Sequence, residues 1–191
     1  MWRAEPGPWR HPSLVAGLSF RIPILHACAA QLLFTDVACL ALWTSTSWEK
    51  GAQPSAFNRW PALGKLAGLT LVLVAFQVFF GIAYRHKVLG LMPHLAGAML
   101  VALAILGLSM FVLQSFPGPG SLHSAAVMAL TVTLIQIALG IVVLVMILLD
   151  AGSAPAATVS TVAHVSGGAL TLTASVFLAI QIRSWAAAGR P

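Results

Sequence analysis

Charged side chains are almost missing from this sequence. Only 10 Lys or Arg and 4 Asp or Glu occur in 191 residues, 7% of the chain against roughly a quarter in soluble domains. So little charge cannot clothe a water-soluble globule, and that class is excluded. Hydrophobic residues make up 59% and the mean hydropathy is +0.94, which points to an integral membrane protein of spanning helices. Cysteine is scarce too. Cys28 and Cys39 share one apolar run, about 16 Å apart on a helix, too far for a bridge to each other. They read as small apolar residues facing neighbours or lipid. A long apolar run is also absent from the first 20 residues, which carry Pro6, Pro8 and Pro12 and do not read as a cleavable signal peptide. No nucleic-acid-binding motif is present. The net charge of +6 lies in loops and tails, where it suits anionic lipid headgroups.

What the chain does have is room for roughly five spans of about 20–25 residues. A polar lead-in over 1–20, with Trp2 and Trp9 as interfacial anchors, precedes one membrane domain over 21–186 and a tail over 187–191. The first span is expected at 22–43, with Pro23 in its first turn. A polar loop over 44–61 carries Trp48, Glu49, Lys50, Arg59 and Trp60. The second span, 63–84, ends at the basic turn Arg85-His86-Lys87, and the third, 89–116, at Pro117-Gly118-Pro119-Gly120. The fourth runs 122–149, and after the turn at 150–155 the fifth runs 157–185. Successive spans alternate direction, so the first, third and fifth start on one side of the membrane, side A. Five cations fall on each side, and the positive-inside rule gives no orientation.

Three histidines recur at nearly even spacing: His26, His94 and His164. Each lies about four to seven residues inside an expected span, at a similar shallow depth on side A. His94 and His164 each have a glycine three residues on, Gly97 and Gly167, the latter followed by Gly168. Three residues along a helix return to nearly the same face. A histidine beside such a gap suits a flat tetrapyrrole, whose iron takes the imidazole nitrogen. His26 has alanines instead. His123 opens the fourth span alone on side B, so side B is one ligand short of a second bis-histidine site.

A second repeat accompanies the first. Gln77-x-x-x-Gly81 precedes His94, and Gln136-x-x-x-Gly140 precedes His164. The second-third and fourth-fifth spans thus form a duplicated helical hairpin, and copies related by an axis along the membrane normal bring His94 and His164 face to face. A mid-span glutamine should face the bundle interior. Two uses stand open for Gln77 and Gln136, service to the histidines or plain helix-to-helix hydrogen bonding, and the glycines share that ambiguity.

These residues together, Gln77-x-x-x-Gly81-x-x-x-Arg85-His86, Pro93-His94-Leu95-x-Gly97-Ala98, Gln136-x-x-Leu139-Gly140 and His164, resemble the heme A synthase family of oxidase-assembly membrane proteins. That family has eight spans in two similar four-helix halves, each holding paired heme-facing histidines. The second to fifth spans look like one half, and the stretch Leu25-His26-Ala27-Cys28-Ala29-Ala30-Gln31-Leu32-Leu33-Phe34 looks like the last helix of the preceding half. The resemblance covers roughly 20–185. It implies an all-α integral membrane bundle of five transmembrane helices, with His94 and His164 as axial ligands of a b-type heme. His26 matches the second histidine of the catalytic half, whose partner helix is not in this chain. The family's catalytic half carries a glutamate one turn from its first histidine and often an outer-loop cysteine pair; this chain has neither. Oxidation of a heme O methyl group would then need a second chain to complete the site.

The expectation is therefore a heme-binding membrane protein acting in heme A formation or cytochrome oxidase assembly, in a bacterial inner membrane. The heme is heme b, with heme O or heme A as the family's substrate and product. The partners are the bilayer, other membrane subunits or a second copy, and a quinone or other redox partner, with no nucleic acid. Two further classes compete. One is a b-type electron-transfer subunit of a respiratory assembly, which needs saturated iron; an enzyme needs an open iron site or a carboxylate. The other is a structural subunit that tolerates loss of His94. Arg85, Lys87 and Arg21 are side-A cations suited either to heme propionates or to lipid phosphate. His26 reads as a ligand or an interfacial residue. Asp36, about fifteen residues into the first span, reads as part of a proton path or as a carboxyl hydrogen-bonded near Thr35.

Overall fold

A computed structural model describes residues 12–49 and 60–188. Among them every regular element is a helix. The order is α1 Pro12–Trp43, α2 Thr46–Glu49, α3 Trp60–Arg85, α4 Leu91–Ser115, α5 Ser121–Leu148 and α6 Pro155–Ala188. Five of the six are long and apolar enough to cross a bilayer. Backbone groups in hydrocarbon must be satisfied within the segment, and helices do this where loops cannot. This is an integral membrane protein of all-α architecture.

The expected spans are found, with shifted ends. α1 begins at Pro12 rather than at 22, so the second half of the expected lead-in is helical. Pro23 consequently lies inside α1 and not in its first turn, where it removes one backbone hydrogen bond from the ladder. A short helix, α2, interrupts the loop expected over 44–61. α3 starts at Trp60, with Pro61 at a first-turn position that costs no hydrogen bond. The expectations for Trp2, Trp9, Lys50, Arg59 and most of the tail fall outside the described residues.

α3, α4, α5 and α6 pack as a ring in which each touches the next and α6 closes onto α3. α4 and α6 stand on a diagonal, without the close packing that each has with its ring neighbours. α1 leans on α6 and, less, on α3; a contact between the Thr35 and Thr173 hydroxyls, 3.2 Å, pins it. In hydrocarbon, helices associate through close packing and interhelical hydrogen bonds, which favours small residues at the seams. Ala67, Ala125, Ala126, Ala129, Ala174 and Ala179 serve that purpose, interleaved with Ile105, Leu178 and Ile182.

The packed core occupies only the side-B half. Its buried residues come from 63–74 of α3, 101–112 of α4, 122–133 of α5 and 171–182 of α6. In the side-A half only scattered small residues are buried: Ala83, Ala157, Ser160 and Gly167. A polar clasp secures the side-B end: the Ser121 hydroxyl donates to Gln181 Oε1 at 2.8 Å and accepts from Trp185 Nε1 at 3.3 Å.

The two side-A turns share one device. α3 ends with Lys87 at φ 59° and α5 with Asp150 at φ 51°. In each case the next residue's N–H reaches back into the helix, Val88 to the Ala83 carbonyl and Ala151 to the Met146 carbonyl. This is the left-handed cap that satisfies the last carbonyls of a helix.

Candidate functional site

His94 is the fourth residue of α4 and His164 the tenth of α6, yet their rings lie side by side. Their centroids are 6.2 Å apart and their planes nearly perpendicular, at 83°. Because α4 and α6 are diagonal, the two rings meet across the middle of the bundle, in its side-A half. His164 lies deeper in its helix than the expected four to seven residues because α6 starts at Pro155, extending the second hairpin beyond the first.

Each ring rests on a glycine of the preceding helix. A Cβ at Gly81 would stand 3.0 Å from His94 Cε1, and one at Gly140 would stand 3.1 Å from His164 Cε1. The glycines three residues after the histidines have another neighbour. A Cβ on Gly97 would run into Gln77 Oε1, and one on Gly167 into Gln136 Oε1. The room beside Gly97 and Gly167 is thus filled by carboxamides, not left open next to the imidazole; Gly168 borders Gln136 Nε2. The sequence displays both Q-x-x-x-G motifs, but not the contact of Gly81 and Gly140 with the rings. Their i, i+4 spacing from the glutamines was the available signal.

The glutamines bind the histidine backbone. Gln77 Nε2 donates to the His94 carbonyl at 2.9 Å, and Gln136 Nε2 donates to the His164 carbonyl at 3.0 Å. Gln77 Nε2 also lies 3.0 Å from His94 Nδ1. His164 Nδ1 is buried without a partner, as are both glutamine Oε1 atoms. Both glutamines thus join adjacent helices through a histidine carbonyl, and Gln77 alone also reaches an imidazole.

The other candidates are not brought to the pair. His26 lies on the exposed face of α1. Arg85 is the last residue of α3, exposed, one turn past Gly81. His86 and Lys87 form the turn after it. His123 Nδ1 lies 3.2 Å from the Phe116 carbonyl, which can only accept, so His123 donates there and ties down the α4–α5 turn. Asp36 points outward from α1, while the neighbouring Thr35 hydroxyl bonds to the Gln31 carbonyl and Thr173. Cys28 and Cys39 are free thiols.

Two imidazoles on opposite sides of one metal ion, with bonds of roughly 2 Å and ring centres about 1.1 Å further on, have centroids about 6 Å apart. The observed separation matches that requirement. Among the described residues no group of three or more His, Cys, Asp or Glu converges. The pair therefore fits a metal whose remaining ligands arrive with it, and does not make a site for a bare ion. No family model matches the chain, and neither do any curated protein or solved structure.

Proposed function

We propose that this chain is a heme-binding membrane protein in which His94 and His164 are the two axial ligands of one b-type heme, acting in heme A formation or oxidase assembly. One observation carries the reading: two imidazoles lie 6.2 Å apart, centroid to centroid, a separation that one iron would span, in the half of the bundle that has no packed core of its own. A polar group inside a span is expensive and is kept for a purpose. Two paired histidines supported by two glutamines answer that expectation better than four unrelated polar residues would. The matching contacts of Gln77 with His94 and of Gln136 with His164, and the matching left-handed turns, support a duplicated hairpin of the heme A synthase type.

When bound, the heme supplies an iron that alternates between ferric and ferrous states and so carries single electrons. The chain's residues do the rest. His94 and His164 would hold the iron, and Gly81 and Gly140 let the Cε1 edges of the rings approach α3 and α5 closely. Arg85 and Lys87, at the side-A rim, provide the charge to receive propionates. With both axial positions taken and no carboxylate within a turn of either histidine, electron transfer is favoured over oxygen chemistry at this site. The same observation supports a second reading, a b-type electron-transfer subunit of another respiratory complex of the bacterial inner membrane, exchanging electrons with a quinone or a neighbouring subunit.

The test is a reduced-minus-oxidised spectrum with heme extraction on detergent-purified protein, beside His94→Ala and His164→Ala. A sharp low-spin b-type signal lost in both variants is expected. A signal surviving both changes refutes the pair. Heme O or heme A in the extract favours the assembly role, and heme B alone favours the electron carrier.

A further inference from the structure

The two glutamines look alike in sequence, but they treat their histidines differently. A carbonyl oxygen only accepts, so the atom of Gln77 facing the His94 carbonyl is the amide nitrogen. That nitrogen has two protons and no free lone pair. One proton goes to the carbonyl, and the other points at His94 Nδ1, 3.0 Å away. Nδ1 must then be the accepting nitrogen, with the ring proton on Nε2. Gln136 makes the carbonyl bond alone, and His164 Nδ1 has no partner. His164 is free to choose its tautomer; His94 is not.

This matters because a neutral imidazole that ligates a metal through Nε2 must carry its proton on Nδ1 and offer it to an acceptor. In the described arrangement His94 is held in the opposite form. The acceptor it needs is close by: Gln77 Oε1 is buried against Gly97 and unsatisfied. A pivot of the carboxamide that keeps Nε2 on the His94 carbonyl and swings Oε1 from Gly97 towards the ring brings Oε1 to Nδ1, whereas turning it over would set Oε1 against that carbonyl.

We propose that Gln77 is a positioning residue that locks His94 as the Nε2–H tautomer in the heme-free protein and, keeping Nε2 on the His94 carbonyl, pivots its carboxamide so that Oε1 accepts from Nδ1–H when the heme is taken up. The second half rests on the heme reading above; the first half does not. No net proton is exchanged: one leaves Nε2, one arrives on Nδ1, and the iron bonds to the freed lone pair. His94 is thereby the switched ligand and His164 the permanently available one.

The experiment is ¹⁵N NMR of imidazole-labelled protein in detergent, first heme-free. Expected is an Nε2–H signature for His94 and a tautomer mixture for His164. Gln77→Leu removes the bias and gives His94 a mixture as well. Gln77→Glu, measured at a pH where the carboxylate is ionised, reverses it, because a carboxylate can only accept at Nδ1. Gln136→Leu leaves His94 unchanged. On reconstitution, Gln77→Leu is expected to retain heme roughly ten- to a hundredfold more weakly, the usual effect of losing a ligand's hydrogen-bond partner, and Gln77→Glu more tightly than wild type. An Nδ1–H signature in the heme-free wild type, or a His94 signal indifferent to both Gln77 variants, overturns the proposal. A correct tautomer pattern in a protein that takes no heme overturns the function proposed above and the second half of this one, while upholding the lock.

Discussion

Gly81 and Gly140 act through the side chain they do not have. Each gives an imidazole its resting surface, and a methyl group at either position would press on a ring carbon at 3.0 or 3.1 Å. Gly81→Ala and Gly140→Ala are therefore expected to tilt the rings out of opposition and to lower heme content, read from the reduced spectrum. Gly64→Ala, where nothing lies within 4 Å of a Cβ, is the control and should leave the spectrum alone. Gly97→Ala should do more harm than Gly64→Ala by a different route, displacing Gln77 at the overpacking cost of about 1–3 kcal/mol. The histidines themselves were legible in the sequence because a span tolerates few polar residues, which makes spacing conspicuous. The division of labour between the glycines was not. A helical position identifies which residues share a face, but not which neighbouring helix fills the space above it.

The helices were also legible as elements, with apolar runs and strong breakers marking them, though their ends moved. α1 began ten residues earlier than the apolar run implied, because a proline opens a helix as readily as it ends one. The left-handed turns lay beyond the reach of composition, since neither Lys87 nor Asp150 is the glycine that a left-handed cap usually takes. That mismatch is testable. Left-handed backbone costs a residue with a Cβ about 1–2 kcal/mol, so Lys87→Gly and Asp150→Gly should each stabilise the protein by about 1 kcal/mol. Lys87→Val, with a branched side chain at φ 59°, should destabilise it. Equilibrium unfolding in mixed micelles gives the ordering.

For the whole molecule, the one-sided core separates stability from site chemistry. Ile105→Ala or Leu178→Ala removes a fully buried side chain from the side-B half and should cost about 2–5 kcal/mol, while the spectrum of any heme retained keeps its shape. His94→Ala should do the reverse, abolishing the signal with little loss of stability in the heme-free protein. Hydrogen exchange provides a third reading. In heme-free protein the side-A segments 75–82 and 94–100 should exchange faster than 101–112, and heme should slow the side-A segments selectively. The one-sidedness could not be read in advance, because hydrophobic residues populate both halves alike and only the packing shows which of them touch.

That division also bears on how such a protein is made in a living membrane. A chain whose foundation lies in one leaflet-half can be inserted, paired and retained before any prosthetic group has been delivered. Maturation then becomes a late and local event at the opposite rim. On the heme-binding reading proposed above, cells short of heme would accumulate assembled but empty bundles instead of degraded chains, held in reserve until supply returns.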